Sequence, residues 1–152
     1  MATYETTKSA TYGKSYGPGA ARELVVDTAI VAVTTGMLDN ANDDVGLLWL
    51  PKGAVIVYAR LDATDMDDST GLVLDVGIAG TEELIIANAT IGQAGGSSVA
   101  LAAAGFLYKC TARTQLRAYV STAATTPAAG TLKFAVAYFV DEEFSTTALT
   151  AF

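Results

Sequence analysis

The 152-residue sequence contains no histidine and a single cysteine. Without imidazole it has no Ser-His-Asp or Cys-His arrangement, and one thiol cannot build a cysteine-rich zinc site. Cys110 lacks a partner for an internal disulfide and reads as a small buried hydrophobe. Charged residues are scarce, 16% of the chain, where about 25% is usual. Lys+Arg number 9 against Asp+Glu 16, a net charge of −7. Nucleic-acid binding needs clustered lysine and arginine, and the basic residues here are scattered, so no nucleic-acid partner is expected. No apolar run approaches the roughly 18 residues of a membrane-spanning helix, so no membrane partner is expected either. The opening MATYETTKSATYGKSYG has no apolar stretch of the kind a secretory signal carries.

What is abundant is apolar: 51% of the residues. A chain of this length forms one domain and buries about 70% of its unfolded surface. The apolar fraction is high for a protein bathed only in water, and a symmetric oligomer accounts for it.

Residues 1–21 show neither a period of 2 nor one of 3.6. They carry Tyr4, Tyr12 and Tyr16, Lys8 and Lys14, and the breaker Gly17-Pro18-Gly19. We read them as an extended arm whose tyrosines lie on a neighbour, because tyrosine offers contact area with few torsions to freeze. Residues 22–140 read as the domain and 141–152 as a tail.

Within the domain, residues 22–35 read as a strand apolar on both faces, with Leu24, Val26, Ile30 and Ala32 on one side and Val25, Val31 and Val33 on the other. VGLLWL at 45–50 is a short apolar run ended by Pro51. In 54–62 the alternation puts Val55, Val57, Ala59 and Leu61 inward. In 72–78 it puts Leu72, Leu74, Val76 and Ile78 inward, and the two segments read as a hairpin. Residues 81–92 read as a short helix, with Thr81 as N-cap, Glu82 and Glu83 in the first turn and Gly92 as its stop. VALAAAG at 99–105 reads as a short strand. In 113–120 Thr114, Leu116, Ala118 and Val120 face inward. In 131–140 Leu132, Phe134, Val136, Tyr138 and Val140 do. Six to eight short strands, turn-rich connections and at most one short helix make an all-β antiparallel sandwich or jelly roll.

The outward set on the last two strands includes Tyr119 and Phe139, which would form a contact surface if uncovered. The acidic loop with Asp65, Asp67 and Asp68 is the candidate metal site, because crowded hard oxygens suit calcium. It fails the EF-hand template, with Thr70 where glycine and Val76 where glutamate would stand, and a solvated loop is the simpler reading. Asp75 needs solvent or a partner, with Arg113 or Arg117 in reach. Gly95-Gly96 lacks the strand–loop–helix setting of a phosphate loop, and nothing selects a glycosidase pair of carboxylates. No catalytic residue, metal or cofactor is expected.

The segment LPKGAVIVYARLDATDMDDSTGLVLDVGIAGTEELIIANATIGQAGG resembles a family of small bacteriophage head decoration or cement proteins. Its matching parts are Leu50 to Gly53, Val55 to Leu61, Leu72 to Gly77 and Thr81 to Ile85, about a third of the chain. The resemblance implies a β-sandwich or jelly roll on the outside of a capsid, often a homotrimer. It implies the major capsid protein and further copies of itself as partners, the virion as location after assembly in the host cytoplasm, and no catalytic residues. Other phage parts (tail, neck or fibre attachment) and a surface- or carbohydrate-binding β-module or enzyme remain open readings.

Overall fold

In the computed structural model the chain describes residues 3–4, 24–98 and 101–141. Among the described residues nine strands form two sheets: β1 (Thr3–Tyr4), β2 (Val25–Val33), β3 (Asp44–Leu50), β4 (Ala54–Ala63), β5 (Val73–Ile78), β6 (Thr81–Ala89), β7 (Gly96–Ser98), β8 (Thr114–Thr122) and β9 (Gly130–Val140). One sheet has the order β1-β3-β8-β5-β6 and the other β2-β9-β4-β7. Every pairing is antiparallel except the short β1 on β3. The expected β-sandwich is therefore present, and its helical content among the described residues is two short 3-10 turns.

The core lies between the sheets. β9 contributes Leu132, Phe134, Val136, Tyr138 and Val140, and β8 contributes Leu116, Ala118 and Val120, all buried. Both sets follow from period-2 alternation, since successive side chains of a strand point to opposite faces. β2 turns Ala29, Val31 and Val33 inward, and β5 turns Leu74 and Val76 inward.

Three expectations are corrected. The first is the helix at 81–92, where β6 runs instead. Ala79-Gly80 closes a two-residue turn, with Ile78 opposite Thr81 and Gly80 at φ +83°, a conformation glycine adopts without steric penalty. Leu84, Ile85 and Ile86 are then all buried, and adjacent isoleucines favour a strand. The second is the 54–62 / 72–78 hairpin. β4 and β5 lie in different sheets, and the 64–72 loop crosses between them. The third is the alternation of β4. A bulge between Ile56 and Tyr58 shifts the register, so Ile56 joins the core and Val55 turns to the outward side opposite Phe139, while Tyr58, opposite Ala137, keeps the outward side that the alternation gives it. An inserted residue of this kind reverses the phase of every position before it. The strand expected at 99–105 does not form at 101–105. Residues 106–110 instead run beside β4, with Leu107 N donating to Ile56 O at 2.8 Å and Cys110 N to Ala54 O at 2.8 Å.

The β9 register makes a direct prediction. Phe134→Ala empties a fully buried site and is expected to cost about 3–5 kcal/mol, whereas exposed Lys133→Ala should stay within about 0.5 kcal/mol. Chemical denaturation of the two variants measures both, and the reverse order would contradict the register.

Candidate interaction surface

The acidic loop is organised around Asp67. This side chain is fully buried and accepts bonds from Ser69 Oγ (2.7 Å) and the backbone N–H groups of Leu72 (2.8 Å), Gly71 (2.9 Å), Thr126 (2.9 Å), Ser69 (3.2 Å) and Thr125 (3.4 Å). Burial alone would raise its pKa. The N–H of Thr126, the Ser69 hydroxyl and the N–H groups of Leu72 and Ser69 outweigh burial and hold the carboxyl well below the usual range. Donors aimed at both oxygens leave a cation no free lone pair. Asp65 and Asp68 are exposed, and Asp65 accepts the Asp67 N–H at 3.3 Å. The three candidate calcium ligands therefore do not converge, and no cluster of three such ligands forms among the described residues. Asp67 is a strut between two loops.

The outward side of the β1-β3-β8-β5-β6 sheet is polar. Arg117 Nη2 donates to Asp44 Oδ1 at 2.9 Å in a mostly buried ion pair, and Arg117 also bonds Gln115. Asp75 pairs with neither arginine offered for it. Its Oδ1 accepts the backbone N–H of Asn88 at 2.6 Å, where Asn88 stands at φ +55° in an irregular stretch of β6. Asp75 thereby satisfies a donor that the ladder would otherwise strand. Arg113 stacks on Trp49, 4.5 Å from the ring centroid.

Tyr119 occupies the expected outward position, in register with Asp44 and Asp75, but it is 3% exposed and is not a contact surface. Gly77 has no Cβ, and the carbonyls of Thr81 and Glu82 pack directly on it. Burial and the Asp44 carboxylate push the Tyr119 phenol up to about 12. Its hydroxyl has no hydrogen-bond partner among the described residues.

The outward side of the β2-β9-β4-β7 sheet has the opposite character. Leu24, Val26 and Ile30 are 59%, 65% and 67% exposed. Tyr58, Phe106 and Leu107 are also exposed. Val26, Ala137 and Tyr58 form one cross-strand row, and Thr28, Ala135 and Arg60 the next. Two alanines of β9 thus floor a shallow apolar trough walled by β2 and β4. Phe139, half-buried, stands opposite Val55 at its end. The other end is polar: Arg60 Nε donates to Asp62 Oδ1 at 2.7 Å and Ser97 Oγ to the same oxygen at 2.5 Å. The Ser97 hydroxyl, more than the arginine, lowers the Asp62 pKa.

Sequence reasoning thus placed Phe139 on the outward side but missed Leu24, Val26 and Ile30 as exposed, having read their strand as apolar on both faces. The signal was present, since an apolar second face on a sandwich strand needs a cover and no covering element follows in the pattern. Phe106 and Leu107 had no periodic signal. Leu107 stands at φ +60°, a conformation uncommon for a leucine. Tyr4 lies in β1, Tyr12 and Tyr16 lie outside the described residues, as does the tail after Asp141.

Two variants test the polar assignments. Asp67→Asn turns an amide N–H₂ toward donors and should cost about 2–4 kcal/mol at neutral pH. The folded pKa of Asp67 is depressed, so its contribution is present at neutral pH. It is lost as pH falls below the ordinary aspartate value of about 4 toward the folded one. Acid titration of stability should therefore be flatter in Asp67→Asn than in the parent. Tyr119→Phe removes an unpartnered buried hydroxyl and should be neutral or stabilising, within about 1 kcal/mol; a clear loss in thermal melting would mean that the hydroxyl is bonded.

No protein-family model matches the sequence, and no curated protein matches it. Solved structures do. A chain from the capsid of Ralstonia phage GP4 is 25% identical, with a TM-score of 0.77, over 93% of this chain and 100% of that one. A chain of the cyanophage Pam1 capsid asymmetric unit is 31% identical, with a TM-score of 0.70, over 87% of this chain and 95% of that one. A chain from the acid-stable capsid of Helicobacter pylori bacteriophage KHP30, 16% identical with a TM-score of 0.51 over 78% and 93%, shares the fold. At 31% identity over nearly the whole of both chains, the protein belongs to the family of phage capsid-related structural proteins that includes the cyanophage chain.

Proposed function

We propose that the protein is a decoration or cement protein that binds the outside of a phage capsid as a homotrimer and stabilises the shell without catalysis or cofactor. The observation that carries this reading is the one-sided surface. Among the described residues, the exposed large apolar side chains lie on or beside one sheet face, and a patch of that kind marks an interaction site. Family membership supplies the setting, a phage capsid. The partners are the major capsid protein and further copies of this chain, with no role for nucleic acid or membrane, and the protein joins the virion during assembly in the host cytoplasm. Phe139 belongs to the contact surface. The arm, residues 1–21 with Tyr4, Tyr12 and Tyr16, is a second contact: it carries two lysines against one glutamate, whereas the whole chain is −7, and a slightly basic segment suits first contact better than an acidic body. The domain proper is 22–140 and the tail 141–152.

Quantifying the protein in purified virions tests this. Hundreds of copies per particle are expected; a handful would move it to a tail or neck, and absence would favour a surface-binding module. A chain beginning at Arg22 should bind emptied capsids far less than the full chain. It should also melt a few degrees lower, because the truncation removes β1 from the edge of β3. Equal binding would remove the arm from the contact.

A further inference from the structure

The strand that carries exposed Val26 and Ile30, β2, is also the last strand of its sheet. We infer that its outer edge is a strand-addition site, and that its occupant is an extended, uncharged segment of the shell subunit, joined to β2 by main-chain hydrogen bonds. The inference rests on the decoration reading and adds which atoms of this chain meet the shell.

The register shows which groups lie on that edge. Just past β9 the N–H of Asp141 donates to Gly53 O at 2.8 Å, and within β9 Thr131 O accepts the N–H of Thr64 at 3.0 Å. Odd-numbered residues of β9 therefore face β4 and even-numbered ones face β2, because N–H and C=O groups alternate sides along a strand. The even residues from Leu132 to Tyr138 stand opposite Val31, Ala29, Asp27 and Val25, so these four make the ladder. Val26, Thr28, Ile30 and Ala32 turn their N–H and C=O groups the other way. The Thr28 N–H meets the Asp27 carboxylate at 2.8 Å. The N–H groups of Val26, Ile30 and Ala32 have no partner among the described residues.

The other edges are covered, broken or short. β1 lies on the start of β3, whose ladder then bulges between Gly46 and Leu48. The register of β6 shifts twice, and its Ile85 O accepts the N–H of Ala102 at 2.8 Å. β4 is flanked by β7 and by residues 107–110, and β7 itself has three residues. β2 differs from all of these. It has nine residues in unbroken register with β9, no proline, no basic residue and Asp27 as its one charge. A long, regular, apolar edge is a template for another strand.

These differences select the occupant. Pairing β2 with β2 of another copy relates the two chains by a two-fold axis, which a homotrimer lacks. Pairing it with a different edge of another copy needs a second regular open edge, and none exists among the described residues. The arm sequence between β1 and β2 carries Gly13 and Gly17-Pro18-Gly19 and no alternation, a composition that suits a strand poorly. A strand of the shell subunit meets both needs of β2. It supplies main-chain partners and, at alternate positions, apolar side chains beside Val26 and Ile30.

The test uses the full chain, free and bound to emptied capsids that lack it. Co-sedimentation reads binding, and hydrogen exchange, quenched and read by NMR after dissociation, resolves single amides. The amides of Val26, Ile30 and Ala32 are expected to exchange about tenfold more slowly, or slower still, in the bound protein than in the free one. Binding with unchanged exchange at these three overturns the inference and leaves the decoration reading standing. Slow exchange already present in the free protein makes the occupant another copy, or the arm if the slowing is lost in a chain beginning at Arg22, and either result overturns the inference. Absence of co-sedimentation fails the decoration reading, and the inference falls with it. Two variants separate main chain from side chain. Ile30→Pro removes an edge N–H without removing a ladder bond, whereas Ile30→Ala trims the side chain and keeps the N–H. Ile30→Pro is expected to bind capsids about tenfold more weakly than Ile30→Ala. Equal binding by two folded variants overturns main-chain pairing, and if Ile30→Pro does not fold the exchange measurement on the parent decides.

Discussion

The sandwich depends on holding its loops shut where the chain passes between sheets, and Asp67 does this. The loop after β4 must carry the chain into the other sheet, and the loop after β8 carries it back. Both bring backbone N–H groups that no ladder satisfies. One buried carboxylate collects donors from both, from Gly71 and Leu72 on one side and Thr125 and Thr126 on the other. A buried charge is tolerated only when its oxygens are satisfied, and here the donors exceed the lone pairs available. The acid run that reads as a cation site is thus an internal anion site for the backbone. Its neighbours Asp65 and Asp68 remain in solvent.

The legible parts of the fold are those in which one rule acts alone. β8 and β9 lie in the middle of their sheets, each with one face on the core, and simple alternation identified every core residue from Leu132 to Val140. Where a second constraint intervenes, alternation misleads. A single bulge in β4 exchanges Val55 and Ile56. In β6, Leu84 to Ile86 are buried together, which blurs a period of 2 and lets the spacing of Leu84, Ala87, Asn88 and Ile91 pass for a helix. Tyr119 was assigned to the correct side of its strand. What alternation does not carry is the burial of Tyr119, since a period of 2 sets the side a residue faces and not whether that side is covered. The same holds for Asp75, whose partner is a backbone N–H thirteen residues away and not a side chain of opposite charge.

The two outward faces answer different needs. The polar one is largely satisfied within the subunit, the Tyr119 hydroxyl excepted: Arg117 is held by Asp44, Asp75 by a backbone donor, and Arg113 by the Trp49 ring. The apolar one is unfinished. Its ridge residues are more than half exposed, although burying side chains of their kind is worth about 1.5–3 kcal/mol each. A lone domain gains nothing from leaving that area in water, so the free energy becomes available only on association.

Such a face is a hazard, since an exposed apolar patch invites indiscriminate association. The net charge of −7 opposes it. Repulsion between bodies acts over about a Debye length, roughly 8–10 Å in physiological salt, whereas burial of apolar area acts only at contact. Approach in another orientation therefore meets exposed loop acids such as Asp39, Asp65 and Asp68 before any apolar area is gained. Approach along the face that carries Asp62 and its partner Arg60 meets the least repulsion. Charge and apolar area thus do separate work: the first discourages wrong contacts at a distance, and the second stabilises the right one once it forms.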